Sequence, residues 1–269
     1  MTEQSWVPAG LDVDQPSTAR IYDYLLGGGH NFAADRALGE QLIAVLPKVQ
    51  DEARLNRAFL RRVVLSLMSA GVRQFLDLGS GIPTVGNVHE VAQQVDEQAR
   101  VVYVDREAIA AAHSHLLLEG NERATLIQAD LREPDTILEA AETRRLLDFD
   151  EPIGLLMLSV LHIVSDEQRP GDIVAAYRDR LPTGSYLALS HGTADFRPEE
   201  VARIVEVFKH GSEQIYPRTR EEITALFAGF DLVEPGLVSP ARWRPDSPEE
   251  LGAGAELSEV YYAGVGRKP

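Results

Sequence analysis

From residue 74 onward, short apolar segments alternate with helix-length segments, and this alternation limits the possible folds more than any other feature. Gln74–Leu78 is a short apolar run and Ile153–Leu158 is apolar at nearly every position, whereas the intervening segments have a helical period. Continuous apolar strands that alternate with helices are typical of a parallel sheet covered by helices on both faces. The sequence therefore predicts an α/β protein.

The same pattern gives the element order of the body. Strands are predicted at Gln74–Leu78, Val101–Val104, Thr125–Ala129, Ile153–Leu158, Tyr186–Ser190, Phe230–Glu234 and Glu259–Gly264. Helices are predicted at Val85–Val95, Glu107–Glu119, Thr136–Leu147, Asp172–Arg180, Pro198–His210 and Glu221–Ala228. Thr219 and Glu222 have the spacing of a capping box, which starts the last of these helices.

The N-terminal quarter differs from the body. Ser17 can cap a first helix that ends at Gly27–Gly29, and two further helices fit Ala33–Leu46 and Glu52–Ser69. Residues 1–70 hold eight acidic and seven basic residues, so nearly all of the net charge of −16 lies in the remainder. We therefore predict a helical cap of residues 1–70 on a body of residues 71–269.

The composition excludes several classes of partner. With 26 basic and 42 acidic residues, the surface repels phosphate backbones and anionic lipids, so we expect neither nucleic-acid nor membrane binding. The chain has no cysteine, which removes thiolate metal ligands and thiol nucleophiles. Neither a signal peptide nor an apolar run of about 20 residues is visible, so we expect a cytoplasmic protein.

Four consecutive strand ends carry residues that suit a nucleotide. Gly79 and Gly81 follow the first strand, Asp105 and Asp130 end the next two, and Ser159–His162 follows the fourth. Ligands of open α/β sheets bind at this edge, and a carboxylate after the second strand can accept hydrogen bonds from ribose hydroxyls. A dinucleotide fingerprint would require a glycine at position 84, where this chain has Thr84. An adenosyl ligand without a pyrophosphate therefore fits better than NAD or FAD.

Longer segments narrow the interpretation. Distinctive strings occupy residues 16–28, 31–36, 56–62, 77–84 and 218–223. With these strings the chain resembles the actinobacterial S-adenosyl methyltransferase family, within the class I S-adenosylmethionine-dependent methyltransferases, over nearly its whole length. The resemblance implies a Rossmann-like sheet of seven strands with the last one antiparallel, and S-adenosylmethionine as the ligand of the body. It implies no defined acceptor, and Pro83 stands where the superfamily often has a further glycine.

The expected function is methyl transfer from S-adenosylmethionine to a small molecule by direct attack of the acceptor atom. The residues expected to bind the cofactor are Asp77, Gly79, Ser80, Gly81, Asp105, Arg106, Asp130, Leu131, Ser159, Val160, Tyr22 and Arg57. Asp77 would orient the loop and the methionine ammonium group. Arg57, after Asn56, would bind the methionine carboxylate, or the two residues are only polar positions on the surface of a helix.

Several of these residues have a second interpretation. Asp105 and Asp130 are alternatively a helix cap and a turn residue, and Arg106 lies against adenine or in solvent. Tyr22 or Tyr24, on a helix that also carries Arg20, would place an aromatic ring near the sulfonium, or would only pack.

His162 and His191 are the candidate general bases, because each follows a strand beside the expected transfer site. Each is alternatively a residue that lines or caps the site, since many methyl transfers need only proximity. His113 and His115 are two residues apart on a predicted helix and do not face one metal, so no metal site is expected.

Residues 196–217 are predicted to form part of the acceptor wall, with Tyr216 and Arg218 facing the site, or else a surface insertion. Trp243 would line the same site or anchor the loop that precedes the last strand.

Two rival functions remain open at this point. The chain is alternatively a regulatory or interaction module that binds the cofactor without turnover, or a NAD(P)-dependent oxidoreductase. A nucleic-acid methyltransferase is disfavoured by the charge and by Leu158–Leu161, which lacks the Pro-Pro-Tyr type of string. We expect a monomer or a homodimer.

Overall fold

The computed structural model describes residues 11–84, 86–246 and 260–269. These residues contain one seven-stranded sheet with the strand order β3-β2-β1-β4-β5-β7-β6. The strands are β1 Gln74–Leu78, β2 Arg100–Asp105, β3 Ala124–Gln128, β4 Gly154–Leu158, β5 Tyr186–Gly192, β6 Asp231–Leu232 and β7 Tyr261–Arg267. Strands β1 to β5 pair in parallel, and β7 is antiparallel to both β5 and β6. The predicted α/β sheet with an antiparallel last strand is confirmed.

Ten α-helices surround the sheet in the described residues. They are α1 Thr18–Leu25, α2 Ala33–Val45, α3 Val49–Ser69, α4 Val88–Val95, α5 Ala108–Leu117, α6 Pro134–Leu138, α7 Ala141–Leu146, α8 Pro170–Arg180, α9 Pro198–Phe208 and α10 Arg220–Ala225. The predicted capping box of Thr219 and Glu222 starts α10. Within the part of the chain that the structure describes, no helix combines the length and the apolar character that crossing a membrane requires.

Several predicted elements have different bounds. The single helix predicted at 136–147 is two helices, α6 and α7, because the Thr143 hydroxyl takes the Ile137 carbonyl that a continuous helix would use. Helix α4 begins at Val88, where Asn87 and Glu90 form a capping box. Strand β6 has only two residues, and β7 starts at Tyr261. The predicted strand residue Glu259 and helix residue Val85 lie outside the described residues.

The sheet is buried on both faces because its strands are apolar on both sides. Leu76 and Leu78 of β1 belong to one apolar cluster, whereas Phe75 packs in the other, together with Phe59 and Val63 of α3. Helix α3 therefore covers the sheet directly, although it lies within residues 1–70. Burial on both faces leaves the carboxyl edge of the sheet as the place where a ligand contacts it.

A third apolar cluster lies above this edge. Ile21 of α1, Leu42 of α2 and Ile204 and Phe208 of α9 pack together there. Helix α9 follows β5, so the N-terminal helices pack against an element of the body.

An ion pair holds α1 to α2. Asp35 is completely buried, and its Oδ2 accepts hydrogen bonds from Arg20 Nε at 2.8 Å and from the Phe32 N–H at 2.8 Å. Its Oδ1 accepts from the N–H of Ser17, the residue that caps α1, at 3.0 Å. The two charges are buried together, so loss of one leaves the other without compensation.

We predict that Asp35→Ala lowers the free energy of unfolding by about 3–5 kcal/mol, because it leaves the buried guanidinium group of Arg20 without its ionic partner. Urea denaturation followed by circular dichroism measures this change. The control is Asp51→Ala, which breaks an exposed pair with Arg54 and should cost less than about 1 kcal/mol. A cost for Asp35→Ala as small as that of the control would contradict the prediction.

Candidate functional site

A cavity of about 390 Å³ lies at the carboxyl ends of β1 to β4 and is closed by α1, α2 and α9. All twelve residues predicted to bind the cofactor line this cavity, and so does His162. The described residues contain no group of three or more His, Asp or Glu side chains that suits a metal ion.

The glycine loop after β1 is fixed to the end of β2. Gly79 and Gly81 have φ angles of 72° and 68°, a conformation that favours glycine. A β-carbon on Gly79 would overlap the side chain of Val160, whereas one on Gly81 would meet no atom within 4 Å. The Gly81 N–H donates to Asp105 Oδ2 at 2.7 Å. The loop therefore presents open backbone to the cavity at Gly81 and is locked in place by Asp105.

Asp105 has both of the geometries that its two interpretations require. Its Oδ1 accepts from the N–H of Glu107 at 2.9 Å, just before α5, as a capping residue would. It also lines the cavity, and each carboxylate oxygen keeps a second acceptor position. Burial raises the pKa of Asp105, and the bonds from Glu107 and Gly81 oppose this shift.

Asp130, at the end of β3, is surrounded by arginines. Its carboxylate accepts from the N–H and Nε of Arg132 at 2.9 and 2.8 Å, and Arg106 Nη1 lies 3.6 Å away. Burial alone would raise its pKa, but these partners hold the pKa below its usual value. Arg106 also pairs with Glu213, so its guanidinium group is not a lone charge in solvent.

Asp77 has the most perturbed carboxyl group of the site. Burial raises its pKa to about 7, the nearby Arg57 charge lowers it, and Asp105 raises it further. Arg57 comes from α3 and donates to the Gly86 carbonyl at 3.1 Å. Without a ligand, Asp77 is therefore only partly ionised near neutral pH, and a cation beside it would favour the charged form.

A chain of hydrogen bonds forms the floor of the cavity. Asn56 Nδ2 donates to the Tyr22 hydroxyl at 3.1 Å, and Asn56 Oδ1 accepts from Ser190 Oγ at 2.7 Å. Ser190 Oγ accepts from the N–H of Ser159 at 2.9 Å. Ser159 has a φ of 57°, and its Oγ donates to the Tyr261 hydroxyl at 3.0 Å. The chain joins α1, α3, β5 and β7 to the strand-end loop after β4.

Only one of the three polar side chains singled out on α1 reaches the cavity. Tyr22 lines it and donates its hydroxyl proton to the Ala53 carbonyl. Arg20 pairs with Asp35, and Tyr24 is bound through its hydroxyl to the exposed Glu40. Gly27–Gly29 is not part of the lining. Of the two tyrosines on α1, Tyr22 therefore remains the candidate for the aromatic ring near the sulfonium.

The structure separates the two candidate histidines. His162 lines the cavity, and burial, with Arg218 nearby, lowers its pKa to about 4. Its Nδ1 has no hydrogen-bond partner among the described residues. His191 is completely buried outside the cavity lining, with Nδ1 donating to the Gly192 carbonyl and Nε2 accepting from Arg218 Nη1. Because both nitrogens are buried and already hydrogen-bonded, this arrangement does not favour His191 as a general base.

Arg218 and Trp243 also lie outside the cavity. Arg218 is buried and donates to the carbonyls of Leu161 and Val164, so it supports the loop that carries His162. Its expected orientation towards the site is wrong, although Tyr216 does line the cavity. Trp243 is buried edge-on against Phe59, which agrees with the anchoring interpretation.

Asp23 is a cavity residue that sequence reasoning missed. It lines the cavity from α1 and is 2% exposed. Its position between Tyr22 and Tyr24 gives no sequence signal, because an acidic residue in a surface helix is usually solvated. Tyr261 was missed for a similar reason, since it reads as an ordinary strand residue.

Three solved structures share this fold. A protein from Thermobifida fusca YX, solved as a candidate methyltransferase, is 41% identical over 98% of this chain and 99% of that chain, with a TM-score of 0.92. A DUF574 family protein from Streptomyces avermitilis MA-4680 is 38% identical over 96% and 99%, also with a TM-score of 0.92. Human N-acetylserotonin methyltransferase in complex with S-adenosylmethionine is 14% identical over 95% and 63%, with a TM-score of 0.50, and shows the shared fold alone.

The fold and the strand-end site are those of an S-adenosylmethionine-dependent methyltransferase. Residues 4–269 match the model of the S-adenosyl methyltransferase family, and the chain belongs to that family. No curated protein matches the chain. The predicted family, enzyme class and cofactor are thereby confirmed, and S-adenosylmethionine is the methyl donor.

We predict that Gly79→Ala destabilises the protein by about 2–4 kcal/mol, because strain at positive φ adds to an overlap with Val160. Gly81→Ala has the same strain in open space and should cost only about 1–2 kcal/mol. Chemical denaturation of the two variants measures the difference. Equal costs would show that the overlap with Val160 has no energetic weight.

We predict that Asp77→Asn becomes progressively more stable, relative to the ligand-free wild type, as the pH rises from about 4 to about 7, and that the difference levels off above pH 7. The carboxyl group has a raised pKa in the folded state, so its contribution to stability is full at low pH and is lost while the unfolded chain ionises and the folded protein still holds the proton. Denaturation of both proteins between pH 5 and 8 gives the difference in free energy. A difference that does not change with pH would contradict the assignment.

Proposed function

We propose that this methyltransferase acts on a small molecule with an apolar body, by direct attack of an acceptor atom on the methyl carbon. The observation that carries the proposal is one continuous cavity that contains both the polar strand ends and an apolar wall. His162 follows β4, between the strand ends of β1 to β3 and helix α9 that follows β5.

The residues of the polar end fit the cofactor. Gly81 offers open backbone, Asp105 has free acceptor positions for ribose hydroxyls, and Asp77 is a buried carboxyl group suited to an ammonium group. Arg57 would bind the methionine carboxylate. The remaining predicted contacts are the adenine contacts of Asp130, Leu131 and Arg106, the loop contacts of Gly79, Ser80, Ser159 and Val160, and the ring of Tyr22 near the sulfonium.

The apolar end suits an acceptor with little charge. Ile21, Leu25, Leu42, Ile204 and Phe208 line it from α1, α2 and α9. These side chains exclude water and would bind the apolar body of an acceptor. A site enclosed by the cap favours a small molecule over a polymer.

When bound, S-adenosylmethionine supplies an electrophilic methyl group on a sulfonium centre. The protein holds the acceptor in line and excludes water, which lowers the entropic cost of the reaction. His162 is neutral at physiological pH because burial lowers its pKa to about 4. A neutral imidazole takes the proton that the acceptor loses and returns it to solvent after product release.

We predict that His162→Gln lowers kcat about 10²–10⁴-fold and leaves the affinity for S-adenosylmethionine nearly unchanged, because only proton transfer is lost. The assay follows a labelled methyl group from the cofactor into the small-molecule fraction of a cell extract, and the control is His115→Gln on α5. In the wild type with saturating S-adenosylmethionine, which keeps Asp77 charged, the rate of methyl transfer should stay level from pH 8 to about 5, because His162 ionises only near pH 4.

Three outcomes would count against the proposal. A fall in this rate near pH 6.5 at saturating S-adenosylmethionine would point to an ordinary exposed histidine, and an unchanged rate in His162→Gln would remove this residue from proton transfer. Label found only in macromolecules would exclude a small-molecule acceptor.

A further inference from the structure

Asp23 lines the cavity, and one oxygen of its carboxylate has no hydrogen-bond partner among the described residues. Its Oδ2 accepts hydrogen bonds from the His30 N–H and from Asn31 Nδ2, both at 2.9 Å. Its Oδ1 is buried and has no hydrogen-bond partner among the described residues. A buried acceptor without a donor lowers the stability of the folded protein, and does so more strongly when it is charged. The arrangement therefore indicates that a ligand supplies the missing donor.

The packing of α1 shows which part of the cavity Asp23 faces. Ala19, one turn before Asp23, packs against Ile82 and Ile109. One turn after Ile109 on α5, the ring of His113 lies 3.9 Å from that of His30, which is bound to Asp23. Residues four apart lie on one face of a helix, so this edge of α1 runs along the start of α5. Asp23 thus lies above the junction of β2 and α5, where Asp105 is located.

Given the proposed function, the part of the cofactor at this junction is the ribose. We infer that Asp23 and Asp105 together hold the two ribose hydroxyls, Asp23 from the cap and Asp105 from the sheet. Both oxygens of Asp105 already accept backbone N–H groups, so a second carboxylate supplies a strong acceptor that is still unused. A sulfonium centre has no hydrogen to donate and would leave Asp23 Oδ1 without a hydrogen bond.

This arrangement makes the ribose a bridge between the cap and the body. Each hydroxyl donates to a carboxylate on a different element, and hydrogen bonds to charged groups are the strong ones. Cofactor binding and docking of α1 are then one event, and loss of either hydroxyl weakens both.

The test is a cycle of protein variants and ligands. Calorimetry measures the binding of S-adenosylhomocysteine and of its 2′-deoxy and 3′-deoxy analogues to the wild type, Asp23→Asn and the control Glu40→Gln, whose side chain is exposed on α2. In the wild type, each missing hydroxyl should weaken binding at least about tenfold. In Asp23→Asn, S-adenosylhomocysteine should bind about tenfold more weakly than it binds to the wild type. Removal of the hydroxyl that Asp23 holds, at either the 2′ or the 3′ position, should then weaken binding less than about threefold. Glu40→Gln should match the wild type.

The outcomes separate the inference from the function on which it rests. If the wild type does not bind S-adenosylhomocysteine, the proposed cofactor site fails. If Asp23→Asn binds it as the wild type does, or keeps both full penalties, the role of Asp23 fails alone. Weaker binding of S-adenosylmethionine with unchanged binding of S-adenosylhomocysteine would assign Asp23 to the sulfonium and overturn the inference.

A folding defect is distinguished by a second variant. Asp23→Ser leaves room for water beside the backbone and removes the charge, and it should show the same reduced penalty. Circular dichroism should show both variants folded at the temperature of the binding measurements, with the Tm of Asp23→Asn closer to that of the wild type, because Asn keeps an oxygen that accepts from the His30 N–H and Asn31 Nδ2. A lower Tm with unchanged ligand penalties would make Asp23 a structural residue and reject the inference.

Discussion

The side-chain amide of Asn56 fastens the N-terminal helices to the sheet, and the shape of the cavity depends on this contact. The amide donates to Tyr22 on one side and accepts from Ser190 on the other, and it is 4% exposed. Few side chains offer a donor and an acceptor from one planar group at the right spacing. Because Ser190 also accepts from the N–H of Ser159, the orientation of the strand-end loop is set by the same amide. A cap residue, a sheet residue and a loop residue therefore share one buried polar network, which is costly to leave partly satisfied.

Much of the architecture follows from local pattern. The strands from Gln74 to Ser190 were predictable because a doubly covered parallel strand has to be apolar throughout, and a surface segment does not. The less regular elements were not predictable in the same way. The break between α6 and α7 depends on a hydroxyl of Thr143 that competes with the helix for a carbonyl group, which periodicity does not reveal. Strand β6 was predicted within Phe230–Glu234, but its length of two residues is set by its pairing with β7, a long-range contact that the local pattern does not show.

The residues of the site also divide into those that the sequence pattern could predict and those that it could not. Gly79, Gly81, Asp105 and Asp130 were predictable because topology brings the carboxyl ends of parallel strands to one edge. His162 and His191 could not be separated from sequence, since both follow strands and only tertiary packing places Arg218 against one of them. Asp23 was missed because its burial comes from the fold of residues 27–31 over α1, and not from the composition of the helix. Residues whose role depends on which side of a helix is covered need the structure.

The contact between Gly79 and Val160 has a consequence for the history of the family. The loop after β1 and the loop after β4 lie so close that the side chain of Val160 occupies the space where a β-carbon of residue 79 would lie. The two positions are thus not free to change independently, although they are 81 residues apart in the chain. A lineage that acquires a larger residue at position 79 requires a smaller one at position 160 in the same or an earlier step. Among relatives, the two sites should covary, and the order of their substitutions should be constrained.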